Sequence, residues 1–278
     1  MTVVDAWVNL WDEATAARFA GDGKLVDVQR FFGKELDAGH GSADGLVAAM
    51  DAAGVDVALV SGPVLDWTRS PSVVADACRS HPDRLRAALE VDPVRSIRAT
   101  CDAIEKAAAD PLVAAIRVVP MMGTESINHR IHYPIYERCE GLGLPVTINV
   151  GVPGPKFRAR LQDPLDLDDV CIDFPDLVVV GAHMGHPWEA LLIRLMMKYE
   201  HLHLSTSAYL ARYVDPAIVR FMDSSRGRGK LIFASDEPLL PMARALADAR
   251  ELAISDDAMM AFLGGNALHV YRGLPGAG

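Results

Sequence analysis

The chain has 278 residues, of which 50% are hydrophobic and 23% are charged, a balance typical of a folded globular protein and unlike that of a disordered chain. Its 37 acidic and 27 basic residues give a formal net charge of −10, which argues against nucleic acid or an anionic membrane as a partner, because both need a basic surface. The cysteines, Cys78, Cys101, Cys139 and Cys171, form no CxxC pair, so neither a disulfide framework nor a zinc finger is predicted.

The sequence also carries no targeting or membrane signal. The N-terminus lacks the basic and apolar regions of a signal peptide, and no apolar run approaches the roughly 18 residues that a membrane span requires. We therefore expect a cytoplasmic protein, with its cysteines reduced and buried as small hydrophobic residues.

Short apolar runs alternate along the chain with segments of helical length. Each run reads as a buried strand, because it is brief, continuously apolar and bounded by turn residues. The eight runs are residues 3–10, 55–61, 85–91, 112–119, 145–150, 177–183, 201–206 and 230–235. Gly54 is expected to end the first intervening helix, and Asp-Pro pairs at residues 92–93, 163–164 and 215–216 to start later ones. Two further helices are predicted over residues 241–251 and 256–263.

Eight strand–helix units in about 250 residues predict an α/β fold of the closed (β/α)8 barrel type. A doubly wound open sheet is the alternative, but no glycine-rich dinucleotide-binding or phosphate-binding turn supports it. No break in composition divides the chain, so residues 1–278 are expected to form one domain. Residues 11–42, the least regular part, are expected to form a loop over the mouth of the barrel.

The predicted strands end in residues with chemical character. In a parallel barrel the active site lies at the carboxyl ends of the strands. The residues at or near these ends are Trp7, Asn9, Arg117, Asn149, His183, Ser205, Ser207 and Asp236. Any one of them could serve only to cap a strand or stabilise a loop. Their repeated occurrence at strand ends predicts a site.

Two motifs resemble the amidohydrolase superfamily. Residues 181–188, GAHMGHPW, resemble its sixth strand, and residues 233–238, FASDEP, resemble the eighth strand with its aspartate. Residues 204–208 and 265–267 match in type and place, so the resemblance runs from about residue 3 to residue 272. The chain is most similar to the amidohydrolase-related branch that contains aminocarboxymuconate-semialdehyde decarboxylase and pyrone-dicarboxylate lactonase.

The resemblance also identifies where this chain departs from the family. Members usually carry His-x-His at the end of strand one and a third histidine at the end of strand five, all binding a divalent metal. Here Trp7 and Asn9 replace the first pair and Asn149 replaces the third, which leaves His183 and Asp236. Because a carboxamide is a poor ligand for a tight zinc site, we expect no metal and no other cofactor.

The family's lactonases imply that hydrolysis can proceed without a metal. In that mechanism Asn9 and Asn149 are expected to donate hydrogen bonds to a substrate oxygen that gains negative charge. Asp236 would act as the general base for water, and His183 would position or protonate the reacting group. Trp7 would stack on a planar substrate. The alternative for Trp7 is barrel packing, and both asparagines could instead join neighbouring strands.

Basic residues predict the charge of the substrate. Lys156 and Arg158 follow strand five, and Arg117 lies within an otherwise apolar strand, where a charge needs a partner. Because guanidinium groups bind carboxylates through paired hydrogen bonds, these three residues are expected to bind a small anionic substrate.

Three functions are consistent with these residues. The leading prediction is a metal-independent hydrolase that acts on a small carboxylated lactone or activated ester. The runner-up is a metal-independent decarboxylase of a small unsaturated or aromatic acid. The third is a pseudoenzyme that binds a small molecule without catalysis. In each case we expect a homodimer.

Overall fold

Eight parallel strands form the sheet of the computed structural model, which describes residues 1–10, 17, 40–62, 70–92 and 96–276. The strands are β1 Val4–Asn9, β2 Val57–Ser61, β3 Leu85–Glu90, β4 Val113–Val118, β5 Val146–Asn149, β6 Val179–Ala182, β7 Leu202–Ser205 and β8 Leu231–Ile232. Each strand pairs in parallel with the next one in the chain. The predicted (β/α)8 barrel is therefore confirmed.

Backbone hydrogen bonds between β1 and the segment after β8 bring the two ends of the sheet together. The Asp236 N–H donates to the Trp7 carbonyl over 3.0 Å, and the Asn9 N–H donates to the Glu237 carbonyl over 2.8 Å. These bonds hold Asp236 beside the end of β1, although β8 itself ends four residues earlier.

Helices connect the strands and cover the outside of the barrel. They are α1 Ala43–Ala53, α2 Ser70–Ser80, α3 Ile97–Ala108, α4 Tyr133–Gly141, α5 Asp166–Asp173, α6 Glu189–Lys198, α7 Pro216–Met222, α8 Met242–Arg250, α9 Asp256–Met260 and α10 Asn266–Val270. Gly54 ends α1 in the left-handed conformation, as predicted, with φ of 79°. Asp215 caps α7 through a hydrogen bond from the Ala217 N–H.

One predicted helix start was wrong, and a second helix begins slightly later than predicted. Helix α3 starts at Ile97, because the Ser96 side chain accepts a hydrogen bond from the Ala99 N–H and so provides the cap that was assigned to residues 92–93. Helix α5 starts at Asp166, after a turn that precedes it. Residues 256–263 are helical as predicted, because α9 continues directly into a π-helical turn over Ala261–Gly265, which leads into α10.

Apolar residues pack in two shells, one on each side of the strands. Ile116 of β4 belongs to the outer shell between sheet and helices, whereas Ala115 belongs to the inner shell within the barrel. Because side chains alternate along a strand, Arg117 also points inward. Tyr271 fills part of the inner shell, and its hydroxyl lies 3.3 Å from that of Thr147.

Two sequence predictions extend beyond what the structure tests. Of the segment 11–42, expected to cover the barrel mouth, residues 11–16 and 18–39 lie outside the described residues. The single domain over residues 1–278 remains a prediction. Within the described ranges, no helix is long and apolar enough to cross a membrane.

A close backbone contact joins the loops that follow β5 and β6. Gly151 has a φ of 94°, and a Cβ atom there would lie 2.7 Å from the carbonyl carbon of Gly185. Only glycine allows this approach, which packs the end of β5, with Asn149, against the turn that carries His183.

Gly151→Ala is expected to destabilise the protein by about 2–4 kcal/mol, because the methyl group meets backbone and the positive φ is strained. Gly141→Ala is the matched control, since a Cβ at Gly141 has no neighbouring heavy atom within 4 Å. Urea denaturation of both variants measures the difference. Equal stability of the two would contradict the proposed close contact.

Candidate functional site

A chain of contacts joins four of the predicted residues inside the barrel. The Arg117 guanidinium lies over the Trp7 ring, 3.4 Å from the ring centre. Its Nη1 donates a hydrogen bond to Asn9 Oδ1 over 2.9 Å. Asn9 Nδ2 in turn donates to Asp236 Oδ1 over 2.9 Å and to the Glu237 carbonyl over 3.2 Å. The structure thus links a cation on β4 with a carboxyl group beyond β8 through two residues of β1.

Arg117 is a fully buried positive charge. Its side chain is 0% exposed, and burial lowers its pKa to about 10, opposed by the charges of Glu90 and Asp236. The guanidinium is therefore still protonated at neutral pH. Glu90 stands beside it in register on β3. Arg117 Nε and Nη2 are buried donors with no hydrogen-bond partner, which is uncommon for polar atoms inside a protein.

Asp236 combines an uncommon backbone conformation with a raised pKa. Its φ of 81° is left-handed, a strained geometry for a residue other than glycine and one that is enriched at functional sites. Burial raises its pKa to about 7, opposed by the hydrogen bond from Asn9, the charge of Arg117 and a hydrogen bond with the Trp7 side chain. Near neutral pH the carboxyl group can therefore either give or take a proton.

His183 follows β6 directly and is anchored by Ser207. Its Nδ1 lies 3.0 Å from Ser207 Oγ and 3.3 Å from the Ser207 carbonyl, and its ring centre lies 4.7 Å from that of Trp7. Loss of solvation and the charge of Arg117 together lower its pKa to about 4, opposed by the hydrogen bond with the Ser207 backbone. The imidazole is neutral at pH 7 as a result.

The remaining predicted residues divide between the barrel interior and its surface. Asn149 is buried as the last residue of β5, and its Oδ1 has no hydrogen-bond partner. Ser205 is the last residue of β7, and its hydroxyl lies 3.4 Å from that of Ser207. Lys156 and Arg158 are exposed on the loop after β5.

Sequence reasoning missed two carboxyl groups in the barrel, the buried Asp5 and the half-buried Glu90. Asp5 Oδ1 accepts hydrogen bonds from the Ser235 and Trp7 N–H groups, and burial raises the Asp5 pKa to about 7. Burial also raises the Glu90 pKa to about 7, opposed by Arg117. One oxygen of each carboxyl group is buried without a partner. The argument that drew attention to Arg117, a charge within an apolar strand, would have identified both.

Asp5→Asn is expected to change how stability depends on pH. The Asp5 pKa is raised from 3.8 to about 7, so between these values the unfolded chain loses a proton that the folded protein keeps, and stability falls as pH rises. Asparagine does not titrate. The stability of the variant relative to the wild type should therefore be about 2–3 kcal/mol higher at pH 8 than at pH 5.

Urea unfolding at the two pH values tests this expectation. Asp76→Asn is the control, because its carboxylate is 77% exposed on α2 and the substitution should change the relative stability little. A stability difference for Asp5→Asn that is the same at both pH values would contradict the expectation.

The residues do not fit a divalent metal. Among the described residues, no three His, Cys, Asp or Glu side chains are grouped as metal ligands. The two positions at the end of β1 where the family resemblance implies metal-binding imidazoles hold Trp7 and Asn9, and the Arg117 guanidinium contacts both. A fixed positive charge beside Asp236 opposes a second cation there.

The purified protein is accordingly expected to hold less than about one tenth of an equivalent of zinc, manganese or iron, because a zinc site needs at least three good ligands. Elemental analysis after purification without chelator measures this content. A near-stoichiometric metal that survives dialysis would contradict the expectation.

Comparison with known proteins identifies the family. The amidohydrolase family model matches residues 4–273, which confirms the resemblance inferred from the sequence. A dihydroorotase from Jannaschia sp. (strain CCS1) is 29% identical over 131 residues, which are 41% of this chain and 38% of that protein. The match thus covers well under half of the dihydroorotase.

Solved structures share the fold over almost their whole length. An uncharacterised TIM-barrel protein from Bordetella bronchiseptica has a TM-score of 0.81 at 22% identity, covering 97% of this chain and 98% of that one. The same coverage is found for 5-carboxyvanillate decarboxylase from Sphingomonas paucimobilis, with a TM-score of 0.71 at 17% identity. It is also found for 2,6-dihydroxybenzoate decarboxylase from Rhizobium, with a TM-score of 0.73 at 16% identity. At such identities the similarity shows the fold alone.

Proposed function

We propose that this chain, which belongs to the amidohydrolase family, is a metal-independent enzyme that acts on a small carboxylated substrate by proton transfer at Asp236. One observation carries the proposal. Asp236 is a buried carboxyl group with a pKa raised to about 7, linked through Asn9 to a buried guanidinium. Perturbed titratable groups of this kind are concentrated at catalytic sites.

Hydrolysis of a lactone or an activated ester is the reaction that this arrangement supports best. Ionised Asp236 takes a proton from water, and the resulting hydroxide adds to the substrate carbonyl carbon. Asn149 donates a hydrogen bond to the oxygen that becomes negative. When the carbon–oxygen bond breaks, the leaving oxygen takes the proton back from Asp236, which restores the enzyme. His183, neutral and anchored by Ser207, orients the reacting group.

The contacts refine the roles of Asn9 and Trp7. Asn9 Nδ2 already donates to Asp236 and Glu237, so Asn9 positions Asp236 rather than a substrate oxygen. One side of the Trp7 ring is covered by Arg117, and the ring also contacts His183, so Trp7 orients these two side chains rather than stacking on a substrate. Lys156 and Arg158, exposed beyond β5, attract the substrate carboxylate.

Decarboxylation is the second candidate, and the protonated fraction of Asp236 near pH 7 favours it. The bond between the substrate carbon and its carboxylate breaks and carbon dioxide leaves. The electron pair of that bond passes into the conjugated substrate. Asp236 then gives its proton to that carbon, and solvent reprotonates the carboxylate. Two of the structures that share the fold are decarboxylases of aromatic acids.

Asp236→Asn is expected to lower turnover by about 10²–10⁴, because the amide keeps the shape of the side chain but cannot take or give the proton. The assay tests two sets of compounds as substrates. One set is carboxylated lactones, and the other is unsaturated or aromatic carboxylic acids. Ring opening in ¹⁸O-labelled water incorporates the label only if the enzyme hydrolyses, and release of carbon dioxide identifies the decarboxylase.

Asp102→Asn, an exposed position on α3, is the control and should keep full activity. The melting temperature of each variant is measured on the preparation used for the rates. A folded Asp236→Asn protein with wild-type turnover would contradict the proposed role of Asp236. Absence of turnover by the wild type on both sets of compounds would favour the binding pseudoenzyme.

A further inference from the structure

Ser207 contacts one nitrogen of the His183 ring through both its hydroxyl group and its backbone. Ser207 Oγ lies 3.0 Å from His183 Nδ1, and the Ser207 carbonyl oxygen lies 3.3 Å from it. The same Oγ accepts a hydrogen bond from the His183 N–H over 3.1 Å and lies 3.4 Å from Ser205 Oγ. Within the described part of the chain, every hydrogen-bond partner of Nδ1 therefore belongs to Ser207.

The backbone on both sides of this contact is strained. His183 has a φ of 66°, and Ala208, which follows Ser207, has a φ of 68°. Residues other than glycine rarely adopt these angles, and such strain is concentrated at functional sites. Thr206 anchors the turn, because its hydroxyl bonds to both the N–H and the carbonyl of Ala234. The fold therefore holds Ser207 against His183 at a cost in backbone energy.

The hydrogen atoms of the two serine hydroxyls decide where the ring proton lies. An uncharged imidazole carries one N–H proton, on Nδ1 or on Nε2, and a hydroxyl has one hydrogen to donate and two lone pairs to accept with. If Ser207 donates to Nδ1, its lone pairs accept from the His183 N–H and from the Ser205 hydroxyl. Every one of these groups is then paired, and the ring proton is on Nε2.

The other tautomer leaves one hydroxyl without an acceptor. If Nδ1 carries the proton and donates to Ser207, the Ser207 hydroxyl has only Ser205 to donate to, and the Ser205 hydrogen then has no acceptor among the described residues. Both serines are buried, at 0% and 1% exposure. An unpaired buried hydroxyl disfavours this tautomer by about tenfold or more.

The second ring nitrogen, Nε2, is left for a bound molecule. His183 is partly exposed, unlike the two serines behind it. Nε2 makes no hydrogen bond within residues 1–10, 40–62, 70–92 and 96–276, and it is not one of the buried atoms that lack a partner. The proton that the serines direct to Nε2 is therefore placed on the accessible side of the ring.

We propose that Ser207 is a positioning residue that holds the His183 ring in the tautomer with its proton on Nε2. In this form the ring offers a hydrogen-bond donor to an oxygen of the bound molecule and cannot take a proton at Nε2. The use of that donor in a reaction rests on the proposed function, whereas the tautomer does not. In the proposed hydrolysis, the proton of water then has Asp236 as its acceptor.

NMR spectroscopy of the intact protein labelled with ¹⁵N-histidine tests the tautomer without any substrate. Couplings between the ring nitrogens and the carbon-bound ring protons distinguish the two forms, and the His183 signals are those absent from His183→Asn. Near neutral pH the wild type should hold the proton on Nε2 in about tenfold excess or more. Ser207→Ala leaves only the carbonyl oxygen beside Nδ1. Because a carbonyl only accepts, the proton should move to Nδ1.

Ser205→Ala is the matched control. It removes a buried hydroxyl at the end of β7 but leaves the hydroxyl that contacts the ring, so it should keep the wild-type tautomer. A wild-type ring with its proton on Nδ1, or with both nitrogens protonated, would overturn the proposal, and this measurement needs no variant to fold. Folded Ser207→Ala with the wild-type tautomer would also overturn it.

Turnover separates this proposal from the proposed function. Ser207→Ala should lower kcat by about 10²-fold, the loss expected for one hydrogen-bond donor, and change KM much less. If Ser207→Ala changes the tautomer but Asp236→Asn keeps turnover, the role of Ser207 stands and that of Asp236 does not. If Asp236→Asn loses turnover while Ser207→Ala keeps the wild-type tautomer, the proposed function stands and Ser207 only anchors the turn.

Discussion

The charge of Arg117 inside the barrel is the constraint on which the rest of the site depends. A buried guanidinium costs several kcal/mol of lost hydration unless its surroundings compensate. Trp7 compensates through its ring, Asn9 through a hydrogen bond, and Asp236 and Glu90 through opposite charge. The compensation is incomplete, because two donors of the guanidinium have no partner. A fold that leaves such donors inside its core gives up stability.

Three carboxyl groups in the barrel have raised pKa values. Burial raises the pKa of Asp5, Glu90 and Asp236 to about 7 each, so the interior of the barrel exchanges protons near neutral pH. Only Asp236 combines this pKa with a strained backbone and a place at the carboxyl end of the barrel. Asp5 instead accepts a hydrogen bond from the Ser235 N–H, which joins β1 to the segment after β8. Burial of a carboxyl group therefore affects the structure at Asp5 and, in the proposed mechanism, proton transfer at Asp236.

The sequence predicted the barrel because the signals for it are local. Apolar runs mark strands, and Gly54 and Asp215 mark helix ends through their own backbone and side-chain geometry. Where two cap candidates lie close together, as at Ser96 and residues 92–93, the local sequence does not decide which of them caps the helix. Strand-end reasoning also predicted which residues lie inside the barrel, since a closed parallel sheet forces them together. It could not predict the pairing of Arg117 with Trp7 and Asn9, which depends on how a long side chain crosses between strands distant in sequence.

In the proposed mechanism, the buried charge of Arg117 and the raised pKa of Asp236 are linked. A metal ion binds oxygen lone pairs directly and lowers the pKa of bound water, so a metal-dependent enzyme can make its nucleophile without a strong protein base. A guanidinium only donates hydrogen bonds and leaves water unactivated. The metal-independent reaction proposed above must therefore obtain its base from the protein itself. Burial of Asp236 supplies it, because a carboxyl group with a pKa of about 7 is a far stronger base than an exposed one.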